Sequence, residues 1–210
     1  MAKKSNIILI CGGSCSGKTT LAEGLADAIS DIGSTALISM DNYYYDLSDW
    51  DPAAADNKNF DSPEAVDSEL LFRHLRDLRD HRKVRERRYD FKTHRIRELD
   101  TYVGNADFII LEGIFTLYFE KLRELAAAGI FVHADADIRL ARRVERDIAV
   151  RRLPVEMVLR QYLNDVRPMH AEYIEPYGKY ANLLLDSNFT SSSDNLNKAA
   201  LFLKARFAEL

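Results

Sequence analysis

The run Gly12-Gly13-Ser14-Cys15-Ser16-Gly17-Lys18-Thr19, continued by Thr20, fits the pattern G-x-x-x-x-G-K-[ST] and joins an apolar run, Ile7 to Cys11, to a helix-like stretch. A strand that turns through glycines straight into a helix leaves few folds open. Glycine lets the backbone wrap an anion at dihedral angles a side chain forbids, and the freed N–H groups then point at a phosphate. Lys18 brings a mobile positive charge to the β and γ phosphates, the Thr19 hydroxyl is placed to ligate Mg²⁺, and the helix start adds a favourable dipole. Residues Gly12 to Thr20 are therefore read as a nucleoside triphosphate cradle, the alternative being a glycine turn without ligand.

Short apolar runs recur along the chain. Ile7 to Cys11, Ala36 to Met40, Phe108 to Leu111, Gly129 to Ala134 and Asn182 to Leu185 are predicted as buried strands. Near-continuous apolarity marks parallel strands covered on both faces. Helices are expected over Lys18 to Ile32, Pro63 to Asp80, Leu117 to Ala128, Asp137 to Ala149, Val155 to Val166 and Asn195 to Ala208. In the second of these, Ser62 is read as the cap, Pro63 as the first residue, and Val66, Leu70, Leu71, Leu75 and Leu78 as the apolar stripe. The alternation predicts an α/β, doubly wound parallel sheet of the P-loop NTPase type, with ligands at the carboxyl ends of the strands. Residues 1–210 are read as one domain, with 83–103 as a small β insertion and 137–166 as a helical lid region.

With 29 Lys and Arg against 33 Asp and Glu, the net charge of −4 gives no global field for a nucleic acid, and no nucleic-acid partner is expected. A small phosphorylated ligand suits it better. No window reaches the ~20 apolar residues of a membrane span, and Met1-Ala2-Lys3-Lys4-Ser5 runs into a strand without an apolar leader. The chain is accordingly read as cytoplasmic. Cys11 and Cys15 are not expected to form a disulfide. The insertion mixes Arg and Lys with Tyr89, Phe91 and Tyr102, a scale suited to stacking one small aromatic base.

The cradle alone leaves GTPases, motor ATPases, kinases and nucleotide binders open. A guanine-reading Asn-Lys-x-Asp is lacking, since Asn57-Lys58-Asn59-Phe60 has no acid and comes too early. The strand Phe108 to Leu111 ends in a lone Glu112 rather than Asp-Glu. An acid there suits a hard cation such as Mg²⁺. Asp41 follows the second strand on the same sheet edge, where a carboxylate can accept an acceptor hydroxyl's proton, and it is the candidate base. Arg139, Arg142, Arg143 and Arg146 recur at helical spacing on one face, fit to close on a triphosphate. The alternative is a solvated face paired with Glu145 and Asp147. His74, His81, His133 and His170 show no cluster spacing and are assigned no chemistry.

These residues resemble the uridine kinase (uridine-cytidine kinase) family, a branch of the P-loop kinases that also includes phosphoribulokinase, over nearly the whole chain. The phosphate loop is similar, with Cys15 where alanine is usual. Asp41-Asn42-Tyr43-Tyr44 resembles the segment carrying the catalytic Asp and a substrate-contacting Tyr. Asn59-Phe60-Asp61-Ser62-Pro63-Glu64-Ala65 resembles Asn-Phe-Asp-x-Pro-x-Ala, whose Asp grips the ribose diol. Tyr89-Asp90-Phe91-Lys92-Thr93-His94 resembles the base-contacting insertion, Ile110 to Ile114 the Mg²⁺-associated strand end, and Arg139 to Asp147 the lid, while Gln161-Tyr162 also has a counterpart.

The resemblance implies catalysis by Asp41, Lys18, Arg143 and Arg146. It implies acceptor contacts from Asp41, Tyr44, Phe60, Asp61, Tyr89, Phe91, His94, Arg143 and Gln161, and a metal held by Thr19, Glu112 and Asp41. The implied reaction is transfer from ATP, or GTP, with Mg²⁺, to the 5′-hydroxyl of a pyrimidine ribonucleoside, in a homotetramer. One departure stands out: where the family reads Glu-Arg-Gly-Arg, this chain has Val150-Arg151-Arg152-Leu153, so the last arginine is missing and Arg151 or Arg152 must serve in its place, or the base pocket differs. A kinase for another alcohol, such as a sugar phosphate, and a nucleotide-binding regulator without turnover are the other readings.

Overall fold

The computed structural model describes residues 4–51, 54 and 58–208; Met1 to Lys3 and Asn57, parts of runs read above, lie outside them. Five parallel strands form the central sheet in the order β2-β5-β1-β6-β7, with β1 Asn6–Gly12, β2 Thr35–Ser39, β5 Phe108–Glu112, β6 Ala126–His133 and β7 Leu183–Asp186. β1 lies at its centre and alternates its side chains between two cores, as a strand covered on both faces must. Ile7, Leu9 and Cys11 face one core together with Leu71, Leu75 and Leu78. Ile8 and Ile10 face the other with Leu21, Leu25, Ala199 and Leu203. Helices α1 Lys18–Ala28 and α7 Ser192–Arg206 cover the second face, and α2 Ser68–Arg79 and α3 Glu120–Leu125 pack on the first. This is the parallel, helix-covered sheet that the alternation predicts.

Three expected helices are shorter than their sequence signals, the first, expected over Lys18 to Ile32, ending at Ala28. The Ser62-Pro63-Glu64 start gives only a 3₁₀ turn, Pro63–Ala65, with no side-chain cap from Ser62. The α-helix starts at Ser68, where the Asp67 carboxylate accepts from the Leu70 N–H at 3.0 Å. The reason is tertiary. Val66 bridges Tyr44 in antiparallel fashion, and the Asp67 N–H donates to the Tyr43 carbonyl, so this backbone is occupied and Val66 is buried outside the helix. Likewise Ala126 to Ala128, good helix formers, enter β6 because Ala128 pairs with Ile8 at the sheet centre, where only a strand fits.

The helix begun at Val155 runs further than expected. α5 Val155–Gln161 passes through one π-helical turn, Tyr162–Val166, into α6 Arg167–Tyr173. α4 Ala136–Ala149 precedes it. Residues 83–103 make a twisted antiparallel hairpin, β3 Val84–Asp90 and β4 Arg95–Val103, as a separate two-stranded sheet. No described helix is long and apolar enough to cross a membrane.

Candidate active site

Gly12, Ser39 and Glu112 end the neighbouring strands β1, β2 and β5, so the loops after them converge on one sheet edge. Gly17 takes φ 97°, and Cys15 takes φ 63°, a left-handed conformation rare for a residue with a Cβ. A Cβ on Gly12 would lie 2.5 Å from Ser16 Oγ and 2.6 Å from the Val132 carbonyl oxygen, so the loop closes only with glycine there. The cradle thus has the form that a triphosphate fits. Cys11 is buried and Cys15 half-buried, and both are free thiols.

Glu112, 3 % exposed, is held from two sides: Thr19 Oγ1 donates to Oε2 at 3.1 Å and Ser39 Oγ to Oε1 at 2.6 Å. A buried carboxylate flanked by hydroxyls at the phosphate-loop helix is a set of hard oxygen donors. It suits Mg²⁺, which takes one or two protein oxygens and completes its shell with phosphate and water. Asp41 lies in the 3₁₀ turn Met40–Tyr43 just past β2. Its burial, with the nearby Glu112 carboxylate, pushes its pKa to about 6, against the opposing pull of Lys18 and Arg151.

The aromatic residues collect beside Asp41. Tyr44 meets Phe60, Tyr89 and Phe91 edge-on at 5.2, 5.4 and 6.1 Å between ring centres. His94 stacks on Phe60 at 5.2 Å, and its Nδ1 lies 3.2 Å from the Tyr89 hydroxyl. The hairpin is tied to the Asp41 turn because Asn42 Oδ1 accepts the Tyr89 N–H at 3.0 Å and the Leu47 N–H donates to the His94 carbonyl at 2.9 Å. Asp61 adjoins Phe60. Its pKa is raised by burial, with Arg143 and Lys18 pulling it back down.

The arginines of α4 are not a solvated face. Arg139 and Arg143 are 3 % and 7 % exposed. Arg143 Nη1 donates to Ser14 Oγ at 3.2 Å, and Arg142 bridges Cys15 and Ser187, donating to the Ser187 carbonyl at 2.7 Å. Arg143, Arg146 and Arg151 converge on Asp147, which is fully buried, at 3.3, 2.8 and 3.4 Å. The acid thus draws three guanidinium groups together, of which Arg143 reaches the loop. Arg151 also lies 4.9 Å over the Phe91 ring, whereas Arg152 is exposed at φ 57°. Of the two residues that could replace the missing arginine, Arg151 is the one at the aromatic cluster. Leu153 is half-buried.

Thr20 is exposed and lines a small hollow with Ser16, Gly17, Ser187 and Asn195. Gln161, at the end of α5, is half-buried and joins none of the contacts above. Sequence reasoning gave no role to Ser39, Asn42 or Ser187, and placed Asp147 only as a partner of the arginines on a solvated face. Of these, only Asp147 left a signal, an acid four residues after Arg143 and four before Arg151. It also left His170 without a role, yet the ring is 6 % exposed and packs beneath Gly13.

Fold and cradle together define a P-loop protein of the nucleoside triphosphate-binding class. The chain belongs to the Phosphoribulokinase / Uridine kinase family, whose model matches residues 7–192. It is 44 % identical over 196 residues to "Uridine-cytidine kinase A" of Dictyostelium discoideum, covering 92 % of this chain but 38 % of that protein's length. It is 40 % identical over 179 residues to "Uridine kinase" of Brevibacillus brevis, covering 85 % of this chain and 83 % of that one. In structure it is similar to a protein described as a possible uridine kinase from Bacillus stearothermophilus. There the TM-score is 0.65 at 19 % identity, over 89 % of this chain and 91 % of the other, a likeness of fold.

Proposed function

We propose that the protein transfers the γ phosphoryl group of ATP to the 5′-hydroxyl of a pyrimidine ribonucleoside, uridine or cytidine. The observation that carries this reading is the placement of Asp41. Its charge is felt by Glu112, Lys18 and Asp61 and by Tyr44, which belongs to the aromatic group of Phe60, Tyr89, Phe91 and His94. A base stacked among those rings sets its ribose beside Asp61, and a carboxylate there accepts from two vicinal hydroxyls. The 5′ oxygen then faces Asp41. As that oxygen bonds to the γ phosphorus and the bridge to the β phosphate breaks, its proton passes to Asp41.

Lys18, Arg143 and Arg146 neutralise charge spread over the transferring oxygens. Thr19 and Glu112, with Asp41 beside them, are the residues to hold Mg²⁺, which when bound neutralises the β and γ oxygens. The donor is read as ATP on the family resemblance, which also carries a homotetramer. Leu153 in place of arginine favours keeping a second reading, a kinase for a different alcohol such as a sugar phosphate.

A panel assay decides between them. With ATP and Mg²⁺, the purified protein is offered uridine, cytidine, deoxyuridine, a purine ribonucleoside and sugar phosphates. The expected kcat/KM is greatest for the pyrimidine ribonucleosides and roughly 10²-fold lower for deoxyuridine, since the deoxy sugar leaves part of Asp61 unpaired. Turnover of a sugar phosphate but no nucleoside would sink the reading.

A further inference from the structure

His170 sits on α6, directly after the π turn, with Nε2 3.5 Å from the Glu175 carboxylate. The π turn takes one residue more than an α turn, which advances α6 by about 100° around the helix axis. The ring presses on the phosphate loop. A Cβ built on Gly13 would lie 2.8 Å from His170 Nδ1, 2.9 Å from its Cε1 and 3.0 Å from Arg139 Cδ. Gly13 does not take a positive φ, so its backbone admits a side chain. What keeps position 13 bare is the imidazole and the arginine stem beneath it. His170 Nδ1 and Arg139 Nη1 are both buried without a hydrogen-bond partner.

We propose that His170, backed by Arg139, is a positioning residue for the phosphoryl donor: its ring sets the height of Gly13 and Ser14, and hence the aim of the loop's N–H groups. Arg139 and Arg143 stand one helical turn apart on α4, and Arg143 donates to the Ser14 hydroxyl. The loop is therefore held between His170 from below and Arg143 from the side. A shift of a few tenths of an ångström in this backbone misdirects several N–H donors together, which weakens the donor site while leaving Asp41, Asp61 and the aromatic cluster in place. This inference rests on the kinase reading only in identifying the loop's ligand as a nucleoside triphosphate.

The test is a double-mutant cycle on donor binding, measured by calorimetry with Mg-ATP and no acceptor. Wild-type binding is the control, because a wild-type protein that does not bind ATP overturns the functional reading itself. Gly13→Ala is expected to weaken binding by about 10-fold or more, as the new Cβ meets the imidazole. His170→Ala is expected to weaken it by about 10-fold, with kcat at saturating ATP and the acceptor KM changed less than about threefold. In the double variant the Cβ occupies the space left by the ring, so binding recovers relative to Gly13→Ala alone. His170→Asn, which is small enough to admit the Cβ and stays polar beside Arg139, repeats the cycle should the alanine variant fold poorly. Losses that simply add in the double variant, or a His170 variant that binds Mg-ATP as wild type does, would overturn the proposal.

Discussion

The Arg151 guanidinium lies 4.9 Å from the centre of the Phe91 ring while its Nε pairs with Asp147 at 3.4 Å. One side chain thus joins the arginine cluster to the aromatic group, and its charge also acts on Asp41 and Asp61. A cation over an aromatic face contributes about 0.5–2 kcal/mol, and lysine cannot reproduce the planar stack. Arg151→Ala is expected to raise the acceptor KM by about 10-fold with the Kd for ATP within about twofold, and Arg151→Lys to fall between. Arg152→Ala serves as the comparison and is expected to change neither constant. Equal effects at the two positions would remove Arg151 from the acceptor site.

Asp41 is flanked by charges of both signs, and its pKa of about 6 keeps it mostly ionised at neutral pH yet basic enough to take a proton. Asp41→Asn keeps the size and the turn and removes the base. The expected outcome is a fall in kcat of ~10²-fold or more with the Kd for ATP little changed, read by steady-state rates beside calorimetry. A variant that turned over at the wild-type rate would leave the proton without an acceptor.

Much of this site was legible in the chain because its parts are local or sit at strand ends. The cradle is contiguous, and Glu112 follows an uninterrupted apolar run. Asp41 comes two residues after the end of β2, so the parallel-sheet rule alone brought it to the right edge. What was not legible depends on packing between distant segments. Asp67 rather than Ser62 caps α2 because Tyr44 claims the backbone of Val66. His170 lies 157 positions beyond Gly13 and reaches it through a π turn that leaves no mark in hydrophobic periodicity. The buried state of Arg139 and Arg143 likewise could not be told from a solvated basic helix, since both give the same spacing.

Arg152 holds φ 57°, the position at which the resembling family has glycine. A residue with a Cβ costs about 1 kcal/mol more than glycine in this region, and the exposed Arg152 has no described hydrogen bond or ion pair to offset it. Arg152→Gly is therefore expected to raise the unfolding free energy by about 0.5–1 kcal/mol, less the entropy glycine restores to the unfolded chain. Urea denaturation of the two proteins at neutral pH measures it. A loss of stability on substitution would mean that the arginine side chain makes a stabilising contact.

His170 ties stability to pH in a direction that can be worked out. Burial, with the Arg139 cation from α4 and His133 from β6 adding to it, lowers its pKa from 6.5 to about 3, and the partly exposed Glu175 does not reverse this. Below pH 6.5 the unfolded chain takes up a proton that the folded protein refuses until about pH 3. The unfolded state then binds more protons, and stability drops as pH falls through that window. The limiting slope for one group is about 1.4 kcal/mol per pH unit. Carboxylates titrate over part of the same range, so the quantity to compare is the difference between wild type and His170→Asn, in which their contribution cancels. Urea unfolding at pH 6.5, 5.5 and 4.5 is expected to show wild type losing more stability at each step than the variant does, so the two curves converge toward low pH. Parallel curves would mean that the folded protein protonates His170 as readily as the unfolded chain, and the ring would then not be held neutral against the phosphate loop.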